Sequence, residues 1–181
     1  MTRHGLTICA TALILAGGIG AARANDRADI DKLYAKLTAA LKNLRPDDTL
    51  ALEAPGFVST EPDGSKLNGQ QVAAMMKKEN EGVKSVKSVS IKIKECKITG
   101  KTAKVATDFS FAIVVEDKEG HMGKKGATHV MASSGKVTND LVKTGDGWKF
   151  LSMSQAGGKM TMDGKPMKMP TGGGGGAKAK M

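Results

Sequence analysis

From Ser85 through Glu116 the chain reads SVKSVSIKIKECKITGKTAKVATDFSFAIVVE. Val89, Ile91 and Ile93 alternate with Ser90, Lys92 and Lys94, the period-two pattern of a half-buried strand. Thr99-Gly100-Lys101 reads as a tight turn, and beyond it the alternation resumes. Ala103, Val105, Thr107, Phe109, Phe111, Ile113 and Val115 fall on one face, with Lys104, Asp108, Ser110 and Glu116 on the other. The phase slips between Ile93 and Ile98, so Glu95-Cys96 is expected to form a β-bulge with Cys96 turned inward. Two long strands joined by a tight turn make a ribbon with one oily face, and other elements must cover it.

The segments before the ribbon supply such a cover. Asp26 to Leu44 carries Ile30, Leu33, Tyr34, Leu37, Leu41 and Leu44 at helical spacing, opposite Lys32, Lys36 and Lys42. Pro46 closes this helix, and Asp47-Asp48 can open a short second one through Leu52. Phe57 to Thr60 reads as a short strand ending at the turn Glu61-Pro62-Asp63-Gly64. Asn68 caps a third helix, Gly69 to Glu81, with Val72, Met75 and Met76 on its apolar side. After the ribbon, a polar connection, Asp117 to Lys125, leads to strand-like segments at 127–133, 136–144 and 148–154. In 127–133, Val130 takes one face and His129 and Met131 the other. The fold class that follows is α+β, a curved antiparallel sheet of about four long strands wrapped around N-terminal helices.

Residues 1–24 have the layout of an export signal. Arg3 and His4 precede an uncharged apolar run from Leu6 to Ile19, and Ala22-Arg23-Ala24 gives a small-x-small junction before Asn25. The run is too short for a membrane span. Cys9 lies at its start, away from the place a lipid-anchored cysteine would occupy, so the expected product is soluble and periplasmic or extracellular. The chain has a formal net charge of +10, and loss of Arg3 and Arg23 would bring it to +8. Cys96 would then be the one remaining cysteine, with no internal disulfide to make. The positive charge is nearly all lysine, 24 of the 28 basic residues, and the chain holds only six aromatic residues. That pattern suits a solvated surface and argues against a nucleic-acid reader, which uses arginine and stacking rings.

The order of elements resembles the nuclear transport factor 2-like superfamily, the cone fold shared by ketosteroid isomerase and polyketide cyclases. The resemblance rests on Ile30-Asp31-Lys32-Leu33-Tyr34-Ala35-Lys36-Leu37, Ala54-Pro55-Gly56-Phe57-Val58, Ile98-Thr99-Gly100-Lys101-Thr102-Ala103-Lys104-Val105 and Asp146-Gly147-Trp148-Lys149-Phe150-Leu151. These cover residues 29–154 and place a domain at 25–157, followed by a disordered tail at 158–181. The resemblance implies a cone with an apolar pocket between helices and sheet, lined by some of Tyr34, Phe57, Phe109, Phe111, His129, Trp148 and Met153. It also implies a family tendency to dimerise through the open sheet face, here the mildly apolar Ala106, Ala112 and Val114.

Enzymes of this superfamily point an Asp, His or Tyr into the cone as a proton carrier. Asp108 alternates onto the solvent side, and no pair of inward carboxylates can be read. His129 and Glu95 are the candidate bases, their directions left open because bulges reset alternation. Thr99-Gly100-Lys101-Thr102 imitates a phosphate-binding loop, but Glu95 stands where its first glycine belongs and no helix follows. The reading is therefore an exported, non-catalytic small-molecule-binding or interaction module with an apolar pocket between helices and sheet, needing no cofactor. The alternatives are an isomerase- or cyclase-like enzyme using His129 or Glu95, or a soft-metal binder. The last rests on the methionines of the tail, Met160, Met162, Met167 and Met169, whose thioethers suit Cu(I), although Lys159, Lys165 and Lys168 oppose a cation.

Overall fold

The structure is a computed structural model that describes residues 18–167, with side chains from residue 25. The apolar run expected to direct export lies largely outside the described residues, as do Met169 and the glycine run that follows it. The described residues form three helices, α1 (Gly18–Lys42), α2 (Pro46–Leu50) and, after two short strands, α3 (Gly69–Asn80). The strands are β1 (Glu53–Thr60), β2 (Lys66–Asn68), β3 (Val83–Thr99), β4 (Thr102–Glu116), β5 (Thr128–Thr144), β6 (Gly147–Met162) and β7 (Lys165–Met167). They form one sheet in the order β2-β1-β6-β5-β4-β3, with β7 paired to β6. The fold class is α+β as expected. The strand count is larger, because three short strands border the four long ones.

The long ribbon pairs as the alternation requires, Ile91 opposite Phe109 and Val89 opposite Phe111. Its register shifts between Ile93 and Glu95, which places the bulge at the phase slip and turns Cys96 toward the core. Further shifts at Val83/Ser85, Val86/Ser88, Gly135/Val137 and Asp140/Leu141 bend the sheet. At Gly135 the strands close to a distance that excludes a side chain. A Cβ there would stand 2.7 Å from the Gly157 carbonyl oxygen and 2.9 Å from Cε1 of Phe109. The Phe109 ring thus occupies the space above the bend.

Helix α1 lies across the concave side and packs on β3 and β6. Ile30, Leu33 and Tyr34 are buried against Val105, Leu141, Trp148 and Phe150, with Phe57 and Val72 completing the core. The first half of α1 is pinned by Asp26, whose carboxylate accepts from Lys143 Nζ at 2.5 Å and from Trp148 Nε1 at 3.2 Å. Those two hydrogen bonds, with the lysine's charge, hold Asp26 below the usual carboxylate range against the opposing effect of burial. Asn68 closes a capping box with Gln71 at the start of α3, as its sequence predicts. Met75 on α3 departs from expectation: it is exposed, and Ala73 is buried beside Val72 in its place.

The end of the chain departs from expectation most. The expected boundary at 157 falls inside β6, which runs on to Met162 and turns back as β7. Gly157 takes a positive φ of 65°, so the Gly157-Gly158 pair that reads as the start of a linker carries the strand past the bend at Gly135. β1 and β7 pair with successive stretches of the same edge of β6. The expected junction after Ala24 lies within helical backbone, since α1 begins at Gly18.

Candidate functional site

The concave face is not covered evenly. Alternation on β4 carries one apolar row from Ala103 to Val115, buried at Ala103 and Val105 beneath α1 and only half-buried from Phe109 to Ile113. The partners of that outer half are also half-buried: Val89 on β3 and Met131 on β5. Between α1 and β3 lies an open cleft of about 330 Å³, lined by Arg27, Asp31, Tyr34, Ala35, Thr38, Ile91 and Ile93. Its floor is continuous with the apolar row, because Ile91 is the cross-strand partner of Phe109.

The cleft is apolar below and charged at its mouth. Arg27 Nε donates to Asp31 Oδ1 at 3.1 Å, an exposed pair one helical turn apart. Tyr34 sits between mouth and core, its ring edge-on to Phe150 with centroids 5.3 Å apart. Its hydroxyl oxygen accepts from Nδ2 of the buried Asn139 at 2.9 Å. Burial holds the Tyr34 phenol well above its usual range, so it stays protonated and acts as a hydrogen-bond group only. Among the cleft-lining residues the one carboxylate, Asp31, is exposed and paired to Arg27, a poor setting for proton abstraction beside a carbonyl.

The expected pocket residues divide. Tyr34, Phe57 and Trp148 are core residues, and of the expected set only Tyr34 reaches the cleft. Phe109, Phe111 and Met153 are half-buried on the concave side. Glu95 pairs with Ala106 on the convex face and is exposed, which removes it as a pocket base. His129 is on the concave side, in register with Val115, far along the sheet from α1. Its Nδ1 lies 2.7 Å from Asp163 Oδ2. Ala106, Ala112 and Val114 are half-buried on the convex face among Lys92, Lys94 and Lys104, and Lys94 reaches Asp108 at 3.8 Å.

Sequence reasoning missed Arg27, Ala35 and Thr38, which belong to the outward side of an amphipathic helix until the cleft gives them a role. It also missed Glu53, whose Oε2 is buried without a hydrogen-bond partner beside Gly69 at the start of α3. Among the described residues no cluster of His, Cys, Asp and Glu could hold a metal ion, and no helix is long and apolar enough to cross a membrane.

Solved structures share this architecture over most of the chain. A putative scytalone dehydratase from Novosphingobium aromaticivorans superposes with a TM-score of 0.62 at 11% identity, covering 76% of this chain and 87% of its own. A nuclear transport factor 2-like superfamily protein from Salmonella enterica gives 0.57 at 17% identity, covering 85% and 99%. The chain has the nuclear transport factor 2-like fold. A ketosteroid isomerase-like protein from Erwinia carotovora gives 0.52 at 16% identity, over 72% of this chain and 95% of that one. No family model and no curated protein matches the sequence. At these identities the likeness concerns the fold, and the nuclear transport factor 2-like cone hosts unrelated activities.

Proposed function

We propose that the protein is an exported, non-catalytic binding module that holds a small, largely apolar molecule in the cleft between α1 and β3. The observation that carries this reading is the continuity of the cleft floor, Ile91 and Ile93, with the half-buried Phe109 and Phe111. An apolar body would lie along that row, and a polar or anionic end would meet Arg27 and Thr38 at the mouth. The absence of a buried acid or base among the cleft-lining residues favours binding over turnover. The export part of this reading rests on the signal-like residues 1–24.

The test uses 1-anilinonaphthalene-8-sulfonate, whose rings and sulfonate match the floor and the mouth. Saturable one-to-one binding is expected. Ala35→Trp, an exposed change on α1 that fills the cleft, should weaken binding at least about tenfold with little effect on stability. Equal binding by wild type and A35W would remove the cleft as the site.

A further inference from the structure

The far end of the concave face holds groups that the cleft does not use. Asp163 stands in the turn between β6 and β7 with φ at 51°, and its Oδ1 accepts from the Val130 N–H at 2.8 Å. Its Oδ2 lies 2.7 Å from His129 Nδ1, the geometry in which Nδ1–H donates to the carboxylate. In the neutral ring, Nε2 then carries the lone pair. That nitrogen is buried and has no hydrogen-bond partner. A side chain added at Gly123, in the loop that follows β4, would come within 3.9 Å of it.

Methionines lie at the same end. Met122 precedes Gly123, is half-buried, and has its N–H held by Asp117 Oδ2 at 2.8 Å. Met131 lies two residues beyond His129 on β5 and so shares its face, and Met162 of β6 is its direct cross-strand partner. Met160 pairs instead with Met167, one step further along β6 and β7. The strand register thus joins Met162, read from sequence as part of a loose tail, to a histidine and a methionine about 30 residues upstream.

We infer that His129 Nε2, Met122, Met131 and Met162 form a site for a soft monovalent cation, Cu(I) or Ag(I). Imidazole and thioether are ligands of choice for Cu(I), and the neighbouring Asp117 carboxylate already accepts from the Gly120, His121 and Met122 N–H groups. The Asp163–His129 hydrogen bond is the outer-shell contact that orients a metal-ligating histidine and fixes its tautomer. Lys165, opposite Met162, is exposed, so its ammonium group can stand in solvent away from the ion.

The test is anaerobic competition of the full chain against a chromophoric Cu(I) chelator, with Ag(I) loading followed by native mass spectrometry. One ion per chain is expected. His129→Gln and the nearly isosteric Met131→Leu should each weaken binding at least about tenfold. Asp163→Asn keeps the turn and the Val130 bond but loses the charged orienting group, and should weaken it about 10- to 100-fold. Met160→Leu with Met167→Leu should change affinity little, and A35W not at all. Undiminished affinity in M131L and H129Q, or failure to hold either ion against the chelator, would overturn the site. Circular dichroism of each variant separates loss of a ligand from loss of fold.

Discussion

Replacing Glu53 by glutamine should abolish a stability loss that the wild-type protein suffers as pH rises toward neutrality. Glu53 opens β1 with its Oε2 buried and unpartnered, and Gly69 leaves only the room that carboxylate fills. Burial pushes its carboxyl from 4.5 up to about 7. A raised folded-state value means the native protein binds the proton more tightly than the unfolded chain. The contribution is therefore complete below about pH 4.5 and is lost as pH climbs through about 7. Taken at full weight, the shift corresponds to about 3 kcal/mol. Partial exposure of the side chain and its position at the anion-favouring start of α3 reduce this to about 1–2 kcal/mol. Urea denaturation of wild type and Glu53→Gln at about pH 5 and about pH 8 checks it. The two should be similar at the lower pH, with E53Q more stable by about 1–2 kcal/mol at the higher. Glu79 is also raised, by burial and the nearby Glu61, while the remaining shifted carboxylates are lowered; all are common to both proteins and cancel in the comparison. Parallel pH dependences in the two proteins would refute the reasoning.

Two further outcomes rest on the interior. Tyr34→Phe removes the acceptor of the buried Asn139 amide and should cost about 1–3 kcal/mol in denaturant unfolding, most of it recovered when Asn139 is also made leucine. Gly135→Ala should cost about 1–3 kcal/mol, because the new methyl meets a backbone carbonyl and the Phe109 ring. Phe109→Leu should relieve only part of that cost, since the Gly157 carbonyl remains; full rescue would mean the ring alone sets the limit.

The ribbon and α1 were legible because their side chains repeat at two and at 3.6 residues, and burial follows those repeats. The inward bulge at Cys96 could be read for the same reason, since the slip in alternation is the bulge. The run of β6 past residue 157 could not. Gly157, Gly158 and Lys159 look like a linker, and only the partners Gly135 and Ser134 across β5 make them a strand. The site was less legible than the fold. A pocket list built from aromatic residues selects the core, because Phe57 and Trp148 are large enough to be buried outright. The cleft depends instead on where α1 crosses β3, and that is a property of packing. Glu53 and Gly69, sixteen residues apart in sequence, meet only in the tertiary structure.

The most direct test of the binding account is a methyl spectrum of isoleucine-labelled protein titrated with 1-anilinonaphthalene-8-sulfonate. The methyl signals of Ile91 and Ile93 should move with one saturating constant, and that of Ile30, fully buried on the core side of α1, should stay in place. Signals that do not move, or that move only for residues outside the cleft, would contradict it.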